Sequence, residues 1–190
     1  MCGIAGIISL NPSSIFIENL KLMGNAISHR GPDGEEFWIN DDNTVSLSHR
    51  RLKIIDLSDA SIQPMHYLNR YTITYNGEIY NYIELREELK LKGYLFTTQS
   101  DTEVILAAYD CWKENCLQYF DGMFAFALWD AKEEILFCAR DRFGEKPFYF
   151  YPNENDFLFA SEMKALWAVG VPKQFDSTML LNYLTIGYVQ

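Results

Sequence analysis

The second half of this chain contains four apolar runs, 123–129, 135–139, 148–151 and 157–160, separated by short polar turns such as Asp130-Ala131-Lys132-Glu133 and Pro152-Asn153-Glu154-Asn155. Short apolar runs bounded by turn-forming residues read as strands. Their apolar residues are not confined to alternate positions, so both faces of these strands must be covered. A lone sheet with one wet face does not meet that demand; sheets packed together and shielded outside by helices do.

The first half supplies the remaining layers. Ile4-Ala5-Gly6-Ile7-Ile8 is a β-branched apolar run that predicts a buried strand almost at the first residue. Ser13 and Ser14 cap a helical segment ending near Ile27, whose apolar positions Ile17, Leu20, Met23, Ala26 and Ile27 recur at helical spacing. Arg30-Gly31-Pro32-Asp33-Gly34 stops it. Strands are expected at 36–39, 44–50 and 71–75, the first two joined as a hairpin by Asp41-Asp42-Asn43. Asn81 is expected to cap a helix through Leu91 with Ile83, Leu85 and Leu89 on its apolar face and Gly93 ending it. Ser100-Asp101-Thr102-Glu103 resembles a helix start leading into 104–119, and a last helix is expected at 176–185. The sum is an α+β layered architecture without internal repeats. The change of character past Gly170 reads as a domain edge.

Composition narrows the function. With 48% hydrophobic and 22% charged residues the chain is an ordinary globular one, and its formal net charge of -10 argues against nucleic acid as a partner. A small polar substrate or another protein suits it better. No apolar run reaches membrane-spanning length and the start lacks a basic signal region, so no membrane partner is expected and the expected location is the cytoplasm. Cys2, Cys111, Cys116 and Cys138 lack the paired spacing of zinc or redox motifs, and His29, His49 and His66 are too scattered for a ligand set, so no metal is assigned. Cys111, Cys116 and Cys138 read as small core hydrophobes.

Cys2 is different because of its position. A small second residue allows removal of the initiator Met, which leaves a thiol and a free amine on one residue. Their ordinary pKa values, about 8.5 and about 7.7–8.0, are close enough to neutrality for the amine to act as general base for its own nucleophile. If Met1 persists, the amine is lost into a peptide bond and little activity is expected.

Eight segments in register then carry a resemblance. Met1 to Ile7, His29-Arg30-Gly31-Pro32-Asp33, Leu47-Ser48-His49-Arg50-Arg51-Leu52 and Tyr75-Asn76-Gly77-Glu78-Ile79-Tyr80-Asn81 are the first four. Ser100-Asp101-Thr102-Glu103-Val104-Ile105, Phe120-Asp121-Gly122-Met123-Phe124-Ala125-Phe126, Ala139-Arg140-Asp141-Arg142-Phe143-Gly144 and Ala160-Ser161-Glu162-Met163-Lys164-Ala165-Leu166 follow. Together they resemble the glutaminase half of the glutamine-hydrolysing asparagine synthetase family. The resemblance implies a class II glutamine amidotransferase with an N-terminal-nucleophile hydrolase fold, a four-layer αββα sandwich of two antiparallel sheets. It implies a glutaminase domain over 1–170, with 171–190 beginning the connection to a synthetase domain that accepts the ammonia.

By the same resemblance Cys2 is the nucleophile that forms a thioester with glutamine, while the Asn76 side chain and the Gly77 N–H match the oxyanion-hole donors. Arg51 matches the residue that grips the substrate α-carboxylate, Ile54 and Ile55 match residues lining the pocket, and Glu78 and Asp101 match the acids that receive the α-ammonium. No cofactor is implied for this chain. ATP and Mg are expected only for the synthetase domain, whose Ser-Gly-Gly-x-Asp-Ser loop does not occur here.

The residues taken singly keep other readings open. Asn76-Gly77 is a strong hairpin-turn dipeptide, Asp101 can be a helix cap, and Arg50-Arg51 can be a solvated pair. Arg30 to Asp33 reads as a structural turn near the site, and Asp141 with Arg142 as an ion pair between strands. At the level of the whole chain the alternatives are a related amidotransferase acting on another carboxylate or a sugar, a different N-terminal-nucleophile amidase such as an acylase, and a non-catalytic binding module. The run Arg51-Leu52-Lys53-Ile54-Ile55-Asp56 departs from the Arg-x-x-Thr-His-Gly of glucosamine-phosphate synthase, and it departs similarly from the phosphoribosyl-pyrophosphate amidotransferase pattern.

Overall fold

A computed structural model describes residues 1–11, 16–52 and 62–188. Ser13 and Ser14, the expected helix caps, and Ile54 and Ile55, the expected pocket residues, lie outside the described residues.

Alternating side chains sort the chain into layers. β1 (Gly3–Ser9) is flanked by β3 (Val45–Arg51) and β9 (Asp156–Ala160), and with β2 (Gly34–Ile39) and β8 (Tyr149–Pro152) outside them it forms a sheet in the order β2-β3-β1-β9-β8. The second sheet runs β4-β5-β6-β7, from β4 (Met65–Tyr67), β5 (Tyr71–Ile79), β6 (Gly122–Asp130) and β7 (Ile135–Arg140). All pairings are antiparallel. Ile4, Leu47, Phe159, Ala125 and Ala127 meet between the sheets. Their neighbours in sequence point the other way, as a strand period of two requires. Thus Ala5, Ile7, Leu158 and Ala160 pack under α1 (Phe16–Ala26) and α4 (Met163–Ala168). Phe124, Phe126 and Leu128 pack under α2 (Tyr82–Leu91) and α3 (Asp101–Trp112). Helix, sheet, sheet, helix is the expected αββα sandwich.

Gly6 makes the inner packing feasible, since a Cβ there would lie 2.4 Å from the Phe159 ring that faces it. Several expected details are corrected. β5 does not end at Tyr75 but runs on to Ile79, because Asn76 and Gly77 pair with Ala125 and Phe124 of β6. α3 stops at Trp112 rather than continuing to 119, with Lys113 at φ 53 breaking it before a 3-10 segment, Lys113–Gln118. Ile83 is exposed, and the apolar face of α2 is Leu85 and Leu89 with the half-buried Tyr82 packed beside them. Asn81 makes no cap bond; its side chain bridges Tyr119 O and the Asp121 N–H. β4 and α4 were not anticipated. α5 (Ser177–Ile186), capped by Asp176, contributes no buried residue.

Candidate active site

Register carries the chain start to its neighbours. Gly3 pairs with Arg50, so Cys2 is delivered to the end of β3, where its Sγ lies 3.4 Å from the Leu52 N–H nitrogen and 3.7 Å from Leu52 O. The Cys2 carbonyl accepts a 3.0 Å hydrogen bond from Arg30 Nε, and Arg30 in turn donates to Glu162 Oε1 at 3.0 Å. Burial opposes ionisation of Glu162, but hydrogen bonds from Arg30, Lys164 and His29 outweigh it and hold the carboxyl down at about 2. Arg30 therefore has a stronger connection to the site than a turn residue would: it anchors the peptide that carries the thiol.

Two polar links carry the geometry from the first sheet to the second. Thr74 Oγ1 donates to Ser48 O at 3.0 Å, and His49 Nε2 lies 3.2 Å from Tyr75 O. Full burial pushes His49 down to about 4, with the Arg51 charge adding to the fall, so near neutral pH the ring is uncharged and donates to that carbonyl. Since Thr74 faces the first sheet, Asn76 two residues on faces it too. Asn76 is 2% exposed, and its Nδ2 finds no hydrogen-bond partner among the described residues. Buried polar atoms are nearly always paired, so an unpaired amide donor in this place requires an explanation.

The ladder also orients the Gly77 N–H. Tyr80 N–H bonds across to Asp121 O on the β6 side, whereas Tyr75 N–H bonds to Gln63 Oε1 at 2.6 Å and Ile79 N–H to Asp101 Oδ2 at 3.0 Å on the other side. By the same alternation Gly77 directs its N–H to the edge occupied by Gln63 and Asp101. A side chain is excluded there, because a Cβ on Gly77 would lie 2.3 Å from Met123 O.

Asp101 is not the cap of α3. Ser100 is, accepting the Thr102 N–H at 3.1 Å, and this frees the Asp101 carboxylate for the Tyr75 hydroxyl at 2.7 Å and the Ile79 N–H. Burial raises its pKa despite these two donors. The Tyr75 phenol is held well above its usual range, by burial first and then by the charge and hydrogen bond of Asp101, with Glu78 and Cys2 adding to the rise.

Arg51 is 8% exposed and lines a cavity of about 160 Å³ together with Asp33, Glu35, His49 and Gln63. Arg50 is equally engaged, with Gly24 O, Asn25 Oδ1 and Glu35, so the two arginines are not a solvated pair. A larger cleft of about 860 Å³ lies at the opposite end of the sandwich, beside Ile8, Thr44 and Tyr71, and contains none of the candidate residues.

The structure thus brings Cys2, Arg51, Asn76, Gly77, Glu78 and Asp101 to one end of the sandwich. Gln63, His49, Tyr75 and Arg30 support them; Gln63 carries no signal in the sequence, and the supporting contacts of the other three, which lie in the resembling segments, join positions remote in the chain. The expected Asp141–Arg142 ion pair does not form: Asp141 accepts backbone N–H groups, while Arg142 donates to Leu117 O and Phe120 O. The thiols of Cys116 and Cys138 are pushed up to about 12 by burial, in keeping with core roles. Among the described residues no group of three or more His, Cys, Asp or Glu could hold a metal ion, and no helix is long and apolar enough to cross a membrane.

Two antiparallel sheets between helical layers, with a cysteine entering the first strand at the sheet end, define the N-terminal-nucleophile hydrolase architecture. A phosphoribosylpyrophosphate amidotransferase from Bacillus subtilis shares this fold, with a TM-score of 0.72 at 20% identity over 89% of this chain and 44% of that one. The chain belongs to the glutamine amidotransferase domain family, whose model matches residues 1–190. It is 42% identical over its whole length to asparagine synthetase (glutamine-hydrolyzing) 1 of Bacillus subtilis. It is 43% identical, again over its whole length, to a putative asparagine synthetase (glutamine-hydrolyzing) 2 of Methanocaldococcus jannaschii. It spans 30% and 40% of those relatives.

Proposed function

We propose that this chain is the glutaminase unit of an amidotransferase that makes asparagine from aspartate, with Cys2, freed of Met1, as nucleophile. The thiol gives its proton to the α-amine, and the sulfur attacks the side-chain amide carbon of glutamine. The carbonyl oxygen becomes an oxyanion that Asn76 Nδ2 and the Gly77 N–H stabilise. The C–N bond then breaks, the amine returns the proton, ammonia leaves, and water hydrolyses the thioester to glutamate.

The observation that carries this reading is the buried Asn76 Nδ2, unpartnered among the described residues and, by alternation from Thr74, on the face toward the sheet on which Cys2 sits. A donor left unpaired in the resting protein costs stability. The same donor becomes useful when charge develops on a substrate oxygen, where each such group is worth on the order of 10²–10³ in rate. Arg51 takes the α-carboxylate of glutamine, Glu78 and Asp101 take the α-ammonium, and Ile54 and Ile55 line the pocket. Reading both charged ends favours a free amino acid over an acyl amide. Aspartate as acceptor is supported by the names of the relatives, and its activation belongs to a synthetase domain using ATP and Mg.

The test is release of glutamate and ammonia from glutamine by protein whose mass shows Met1 removed. Turnover that vanishes in Cys2→Ala is expected. Absence of turnover in correctly processed protein overturns the reading, and preference for an acyl amide replaces it with that of another amidase.

A further inference from the structure

The turn after β7 takes no part in the reaction just described, yet it is built with unusual firmness. The Asp141 carboxylate accepts the N–H groups of Phe143, Glu145 and Lys146 at 3.1, 2.9 and 2.9 Å, and that of Phe124 at 3.2 Å. Arg140 Nε donates to Lys146 O at 2.6 Å, so both peptide groups of Lys146 are fixed. Gly144 adopts φ +66, and a Cβ there would come within 2.9 Å of the Arg140 guanidinium.

What this turn delivers is a buried cation at the chain start. Lys146 is 5% exposed, and its Nζ contacts Met1 Sδ at 3.2 Å. A thioether is a weak acceptor, and a buried ammonium ordinarily has a carboxylate beside it. None of the ion pairs among the described residues involves Lys146. Met1, whose side chain meets this ammonium, is joined through its carbonyl carbon to the Cys2 nitrogen.

Resting on the reading above, in which Met1 is removed, we propose that Lys146 is a positioning residue for the reaction: its ammonium faces the space that Met1 vacates and keeps the freed amine of Cys2 in its neutral, proton-accepting form. Two ammonium groups repel, whereas a neutral amine accepts a hydrogen bond from Nζ, and both effects favour the free base. The surroundings create the need. Glu78, Asp121, Asp141 and Glu145 all act on the phenol of Tyr80, one residue past β5, and negative charge near an amine favours its protonated form. Arg30 bonds Cys2 O through Nε and Glu162 through Nη1, with Nη2 unpaired among the described residues; Asp101 is committed to Tyr75 and Ile79, and Tyr75 and His49 are uncharged near neutral pH. Arg51, at the end of β3, carries charge of the same sign as Lys146.

The experiment uses Met1-free protein carrying nitrogen-15 in Cys2. The α-amine is titrated by NMR, and kcat/KM for glutamine is followed against pH, in the parent and in Lys146→Met and Lys146→Arg; Lys146→Gln replaces the Met variant if that one fails to fold. Both midpoints are expected to rise by on the order of one pH unit when the charge is removed and to stay in place in Lys146→Arg. Lower activity with unmoved midpoints, or no change at all, overturns the proposal. If the parent does not turn over glutamine, the glutaminase reading fails on its own, while the NMR titration still decides what Lys146 does to the amine.

Discussion

The hydroxyl of Tyr75 donates a 2.7 Å hydrogen bond to Asp101 Oδ2, and the same oxygen accepts the Ile79 N–H, so one carboxylate at the start of α3 clamps both ends of the strand segment bearing Asn76, Gly77 and Glu78. This clamp sets where the segment sits relative to Cys2. Tyr75→Phe is expected to lose about 1–2 kcal/mol of stability in urea unfolding. Under the proposed function, in which Asp101 receives the α-ammonium, it is also expected to raise KM for glutamine more than it lowers kcat. A change confined to kcat would detach Asp101 from substrate.

Asn76→Ala is expected to lower kcat by roughly 10²–10³ with stability within about 1 kcal/mol of the parent, because among the described residues Nδ2 has no hydrogen bond to lose. Steady-state kinetics and thermal unfolding on the same samples check this. A large loss of stability would make Asn76 a structural residue.

Gly77→Ala is expected to destabilise the fold by roughly 2–3 kcal/mol or more. The added methyl would meet Met123 O and Phe124 Cα, both backbone atoms of β6 that cannot move without opening the ladder. Thermal unfolding reads the effect, and an unchanged Tm would contradict the strand pairing at this position.

His49 makes stability depend on pH. Its folded value of about 4 lies below the ordinary 6.5, so between these two the unfolded chain binds more protons. The contribution is fully present above about 6.5 and is lost as pH falls toward 4, to the extent of about 3 kcal/mol. Urea unfolding from pH 7 to pH 4 should show this slope in the parent and a shallower one in His49→Gln. Glu162 acts lower, losing its contribution as pH falls from its ordinary 4.5 toward about 2.

Much of the architecture is legible in the residues themselves. Apolar runs between polar turns identify β6, β7, β8 and β9, and Leu85, Leu89 and Gly93 mark the buried face and the end of α2, because side-chain burial and turn chemistry are local consequences of residue type. The position of Cys2 next to an apolar run likewise brings a thiol to the mouth of a buried strand. Tertiary structure alone decided the rest. Asn76-Gly77 has the local preference of a hairpin turn, yet cross-strand pairing with β6 outweighs it and extends β5 through both residues. Asp101 is bound by groups that long-range pairing brings to it, and Asp141 by the N–H groups of its own turn together with Phe124 of β6, so neither plays the cap or ion-pair role read from its neighbours. Short elements such as β4 and α4 carry too few residues for a periodic signal, and they form only because β5 and β9 offer them a surface to pack on.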